Sequence, residues 1–318
     1  MKRFVIACAA CAFVTVGQST WAQEAPAEYQ EVLSMLGKKG DFKDNVLKVN
    51  IPRNDLDVMV ANVRTPTPFG FGGWVAMTKG SGDKHVMMGD LVLTEDEVNP
   101  VMSALLDHGL EVTALHNHFF HEEPRIFYMH VHGQGTPADL ARDLKPALDL
   151  IGKSAARPAP TTGSAPATSP SKIDTAKIAQ IVGKQGEQSG EVYKITIGRD
   201  DLKVTDMGAT INARMGLNTW AAFVGSDDKA AVAGDIAMLE SEVTPVLKAL
   251  RKNGLDVVAI HHHMLRDAHE GGEMRQTQPV VIFLHYWGTG PADKLAAGFK
   301  AALDELGHGS SASRRGQN

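Results

Sequence analysis

Ten of the thirteen histidines in this chain of 318 residues fall in two stretches, "ALHNHFFHEEPRIFYMHVHG" (114–133) and "AIHHHMLRDAHEGGEMRQTQPVVIFLHYWG" (259–288). Imidazole is a neutral ligand for borderline divalent metals and exchanges protons near neutral pH. Alternate side chains of a strand share a face, so His116 and His118 point one way, as do His130 and His132 on the following strand. His116, His118 and His130 recur as His261, His263 and His285. These six are the candidate metal ligands, with zinc or a similar divalent ion as the candidate cofactor. Glu122 and Glu123 follow the first pair, and Glu270 and Glu273 the second. A carboxylate there could accept a proton from metal-bound water, ligate the ion or orient a ligand. Arg125 is a candidate for binding an anionic group in one copy only, since Val280 stands at its counterpart.

Two other readings of the histidines stay open. They could line a ligand or catalytic pocket without metal, or they could be structural residues, hydrogen-bonded to carbonyls and copied by duplication. A simple hairpin centred near residue 121 places His130 opposite Thr113, which spreads the trio along the sheet.

The duplication covers most of the chain. "VLKVNIPRNDLDV" from Val46 matches "VYKITIGRDDLKV" from Val192, and Trp74 matches Trp220. "GDLVLTEDEVNPVMSALLDHGLEVTALHNH" from Gly89 matches "GDIAMLESEVTPVLKALRKNGLDVVAIHHH" from Gly234. After a connection ten residues longer in the second copy, Pro124 meets Pro279 and His130 meets His285. The expected organisation is a signal segment (1–22), a first module (27–152), a Pro/Ala/Ser/Thr-rich linker (153–172), a second module (173–308) and a tail (309–318). The linker composition gives it nothing to bury, although the modules could pack on each other across it.

Within each module, alternating segments such as "VLKVNI" read as strands, and "HVMMGDLVL" is an apolar run of strand length. Asn99-Pro100 and Thr244-Pro245 look like helix starts, and Pro137 and Pro291 open a second helix. The expected fold is α+β: two homologous modules, each a mostly antiparallel sheet with two helices packed on one face. Those helices argue against an all-β cupin barrel. Gly89-Asp90 and Gly234-Asp235 suggest a bulge or a buried carboxylate with a structural partner. Trp74 and Trp220 read as core anchors. Gly70-Phe71-Gly72-Gly73 lacks the spacing of a dinucleotide loop.

The 32 basic and 37 acidic residues give a net charge of -5 with no basic block, so nucleic acid is not expected as a partner. Lys2 and Arg3, an apolar run and Thr20-Trp21-Ala22 read as a secretory signal cleaved after Ala22, for a periplasmic or secreted protein. No transmembrane helix is expected after cleavage. The segment before Cys8 has lipobox-like chemistry, which leaves lipidation there open. Both cysteines, Cys8 and Cys11, belong to the signal, so disulfides and thiolate ligands are not expected.

"VTALHNHFF", "EPRIFYMHVHG" and "LARDLKPALD", echoed by "VAIHHHML" and "FLHYWG", resemble the LppY/LpqO family of bacterial exported domains, in two tandem copies. The resemblance implies export and supplies no reaction. Three functions follow as expectations. The first is an exported tandem-module protein that binds a divalent metal or small polar ligand through the histidine clusters. The second is a zinc-dependent hydrolase acting on the cell envelope, and the third a non-catalytic interaction protein with structural histidines. A small molecule or a cell-envelope component is the expected partner.

Overall fold

The computed structural model describes residues 24–153, 173–263 and 279–307. The signal segment, nearly all of the linker, Glu270, Glu273 and the tail lie outside the described residues. No helix among the described residues is long and apolar enough to cross a membrane.

The first module runs α1 (Ala27–Leu36), β1 (Gly40–Lys43), β2 (Val46–Pro52), β3 (Val58–Val60), β4 (Val63–Thr65), α2 (Thr67–Gly70), β5 (Gly72–Lys79) and β6 (His85–Thr94). It continues with α3 (Glu95–Asp107), β7 (Glu111–His116), β8 (Glu122–Glu123), β9 (Ile126–Gly135) and α4 (Pro137–Leu148). The second runs α5 (Thr175–Val182), β10 (Glu187–Ser189), β11 (Val192–Gly198), β12 (Val204–Asp206), β13 (Ala209–Ile211) and β14 (Asn218–Gly225). It ends with β15 (Ala230–Leu239), α6 (Glu240–Lys252), β16 (Asp256–His261), β17 (Val281–Gly290) and α7 (Ala292–Leu303).

Each module builds a six-stranded antiparallel sheet, in the orders β1-β2-β5-β6-β9-β7 and β10-β11-β14-β15-β17-β16. The two expected helices of each module are present, joined by a third at its start, α1 or α5. They cover one face. Val32, Val101, Leu105, Leu140 and Leu144 from the helices pack on Val49, Val75, Met87, Leu91 and Val131 from the first sheet. The second module repeats this with Ile178, Val246, Leu250 and Phe299 on Ile195, Phe223, Val232 and Leu284.

The opposite faces of the two sheets meet each other. Phe69, Phe71, Phe119 and Tyr128 of the first module form one cluster with Val192, Ala222, Val224 and Trp287 of the second. Val46, Ala76 and Met88 form another with Val204, Ile211, Met215 and Phe283. The result is four layers: helices, sheet, sheet, helices. Side-chain contacts also cross between them: Thr113 donates to the His263 carbonyl at 2.8 Å, and His132 Nε2 lies 2.7 Å from Asp206 Oδ2.

The long helices begin earlier than Asn99-Pro100 and Thr244-Pro245 suggest. Glu97 accepts the Thr94 N–H at 2.9 Å and Glu242 accepts the Leu239 N–H at 2.8 Å, so α3 and α6 start at Glu95 and Glu240 and carry Pro100 and Pro245 inside. Acidic residues in the first turn suit the positive end of the helix dipole. The same glutamates anchor a duplicated network. Arg53 holds Glu97 at 2.6 Å and donates to the Val92 carbonyl, and Glu97 also accepts the Gly152 N–H. Arg199, Glu242, the Ala237 carbonyl and the Gly307 N–H repeat it.

Strands β6 and β15 are continuous through Gly89-Asp90 and Gly234-Asp235, so the bulge considered from sequence does not occur. The glycines are needed for packing. A Cβ on Gly89 would lie 2.7 Å from Val75 Cγ1, and one on Gly234 would collide with the Trp220 carbonyl and the Tyr286 hydroxyl. Gly234→Ala is therefore expected to lower stability by about 1–3 kcal/mol. An unchanged urea midpoint would show that the strand relaxes instead.

Candidate metal centre

The strand register delivers the histidines to the face between the sheets. A β-bulge between Val112 and Ala114 shifts β7 against β9, so His130 sits opposite Ala114 rather than Thr113, and His116 opposite Tyr128. His116 and His130 become diagonal neighbours with ring centroids 5.0 Å apart. The bulge recurs between Val257 and Ala259, placing His285 opposite Ala259. His118 and His263 follow the ends of β7 and β16 and turn inward, where both are buried.

All six candidate ligands form one cluster instead of two. His116 and His261 stack at 3.9 Å between centroids, His118 on His285 at 3.7 Å, and His130 meets His263 at 4.0 Å. The last two contacts are each other's counterparts under the duplication. So are the Tyr128–His118 and Phe283–His263 stacks, both at 3.3 Å. Reciprocity of this kind defines a pseudo-twofold axis, and the His116–His261 pair lies on it.

Two carboxylates, which the sequence alone marks as structural, complete the cluster. Asp90 pairs across the strands with His130, and Asp235 with His285. Both belong to the face that carries the histidines. Three groupings have donor atoms within 4.8 Å of one another: His116/His261/His285, His130/His261/His263 and Asp90/His116/His130. The first two draw on both modules. These groupings could hold a metal ion.

Hydrogen bonding is incomplete at the centre. His116 Nδ1 lies 3.4 Å from the Asn117 carbonyl, and His130 Nε2 lies 3.1 Å from His261 Nε2. His116 Nε2, both ring nitrogens of His118 and His285, His261 Nδ1, His263 Nε2, Asp90 Oδ1 and Asp235 Oδ1 are buried without a hydrogen-bond partner. Native interiors leave few such atoms, because each costs about 1–3 kcal/mol.

Burial governs the protonation states. It lowers the proton affinity of His116 to a pKa of about 4 and holds His118, His130, His261, His263 and His285 well below the ordinary histidine value, so the imidazoles are neutral at neutral pH. Burial pushes the Asp90 carboxyl up to about 8, and Asp235 up through burial and the charge of Asp90. Lys48 and Lys194 are lowered to about 8, mainly by burial, and lie over the rings of Trp74 and Trp220 at 4.3 and 3.8 Å. The two tryptophans thus carry the lysines beside the centre.

The remaining candidates separate. Glu122 is buried, accepts from Asn117 Nδ2 at 3.3 Å, and has its pKa raised by burial. Glu123 is exposed and belongs to none of the donor groupings. Arg125 is exposed, with its guanidinium 5.7 Å from the Phe127 ring. His132, whose counterpart is Trp287, is a salt-bridge residue held by Asp206 and by Glu111 at 2.9 Å.

The family described as Domain of Unknown Function (DUF1259) matches residues 30–150 and again residues 176–305. No curated protein matches the chain. Among solved structures, a trimeric bacterial microcompartment shell protein, PduB, aligns at 10% identity and a TM-score of 0.18 over 82% of this chain and 88% of that one. EtuB from Clostridium kluyveri aligns at 9% identity and a TM-score of 0.18 over 82% and 89%. Likeness at that level carries no argument.

Proposed function

Since the chain belongs to the DUF1259 family, twice over, its chemistry has to be read from its own residues, and we propose that it is an exported metal-binding protein whose two modules share one buried centre. The observation that carries this reading is the set of buried, unpartnered atoms on His116, His118, His261, His263, His285, Asp90 and Asp235. Structural histidines would be expected to spend those nitrogens on carbonyls and carboxylates, as His132 does. Divalent ions would use them instead. His130 completes a set of eight donors, and a closed tetrahedral site uses about four, so the centre suits two ions per chain. Imidazole-rich, thiolate-free ligation favours zinc or copper(II) over magnesium or calcium.

The first test is metal content of the untagged chain from Gln23 onward. About two equivalents are expected in the wild type, and His116→Ala/His261→Ala should lose both, because those residues lie on the shared axis. A wild type that stays metal-free after reconstitution with zinc and with copper would end this reading. A folded double variant with its full complement would end it equally. Metal at about a thousand times its Kd stabilises the folded state by ~4 kcal/mol and is expected to raise Tm by about 8–16 °C. Scanning calorimetry with and without chelator reads that shift.

A second reading is a metal-assisted hydrolase of the cell envelope. Glu122 favours it, as a buried carboxyl of raised pKa that lines the same cavity as His116. In that role it would take the proton of a water activated by the ion. Glu123 is exposed and does not line that cavity.

A further inference from the structure

Beside the centre, a cavity of about 480 Å³ opens between the modules, a size in the range of small-molecule sites. Phe119 and Phe120 of the first module and Val258 and Ala259 of the second form its apolar wall. Its polar side carries His116, Asn117, His121, Glu122 and Arg125. His116 belongs both to this wall and to the metal cluster, so a molecule in the cavity would sit against the centre.

The polar groups are unequal in what they have left to offer. Glu122 is engaged by Asn117 and by the backbone N–H groups of Glu122 and Ile126. Asn117 spends its amide on Glu122 and on the Ile126 carbonyl at 2.7 Å. Arg125 forms no ion pair within 4.0 Å among the described residues and rests near the Phe127 ring. A guanidinium presents donors in a fork that matches a carboxylate or phosphate. The second module puts Val280 at this position, so the duplication has not copied the cation.

We propose that this cavity binds a small molecule carrying an oxyanion, with the anion on Arg125, the apolar body against Phe119, Phe120 and Val258, and the whole beside His116. Among the described residues the site is single, although the histidines beside it are duplicated. This rests on the metal reading only for what lies beyond His116.

Phenyl phosphate and benzoate, titrated calorimetrically into the metal-loaded full chain, separate the two oxyanion sources. One equivalent of either probe should bind, and Arg125→Met should weaken that binding at least tenfold. Metal content and Tm should stay at wild-type values in the variant, since Arg125 is exposed and belongs to none of the groupings that could hold a metal ion. Binding of neither probe, or equal binding by Arg125→Met, overturns the proposal. Metal analysis of the same samples judges the centre separately. Should the wild type hold no metal yet bind a probe through Arg125, the cavity assignment stands and the metal reading falls.

Discussion

Transfer of chelator-treated protein from about pH 7.5 to about pH 5 is expected to unfold it. Six imidazoles are buried neutral in the native state, His116 with a pKa of about 4 and the others well below the ordinary histidine value. In the unfolded chain each takes up a proton near pH 6.5. Groups depressed in this way stabilise fully above the unfolded value and lose that contribution as pH falls. Asp90, Asp235 and Glu122 oppose the effect, because burial keeps their carboxyls protonated in the folded state at pH values where the unfolded chain ionises them. His132 is raised by its carboxylate partners, against the opposing effect of burial, and is charged in both states below pH 6.5, so it adds no slope there. The depressed imidazoles outnumber the raised carboxyls, so unfolding takes up protons and stability falls as pH drops below about 6.5. Typical stabilities of ~5–15 kcal/mol leave a small margin against such a loss. Urea midpoints followed by near-ultraviolet circular dichroism across these pH values would check it. A flat profile would mean that the imidazoles are solvated rather than buried neutral.

Arg53→Met is expected to cost about 3–5 kcal/mol, as is Arg199→Met in the second module, because each leaves a glutamate buried without its cation. Arg53 and Glu97 are 3% and 2% exposed, and Glu97 ties together the start of α3 and the chain after α4 through the Thr94 and Gly152 N–H groups. Removing both charges together, in Arg53→Met/Glu97→Leu, should recover much of the loss, limited by the two N–H groups left behind. Equilibrium unfolding of the single and double variants forms the cycle. Equal stability of Arg53→Met and wild type would show that Glu97 is protonated or hydrated in place.

The duplication, the modules' α+β composition and the six histidines are all legible in the residues. The union of the two trios is less so. Its signal lies in "HVMMGDLVL", which is apolar on both faces of β6. Such a run calls for a sheet covered on both sides, and the helices of one module cover only one, which leaves the other face for the second sheet. Asp90 and Asp235 escaped for a related reason: an isolated acid in an apolar strand looks structural until the register sets it opposite His130 or His285. The bulges in β7 and β16 were also hidden, since Thr113 and Val258 carry no mark that the ladder shifts beside them. At α3 and α6 the prolines misled, because Pro100 and Pro245 imitate first-turn positions while Glu97 and Glu242 set the true start.

Half of the eight candidate donors come from each module, so an ion held by the whole set would be held by both modules. Separate modules would each bring half of the donors and would have to find one another by diffusion, so occupancy would fall on dilution. One chain holds its two halves at an effective concentration of the order of millimolar for a short tether. Closure of the centre is then a first-order event, insensitive to how much protein surrounds it.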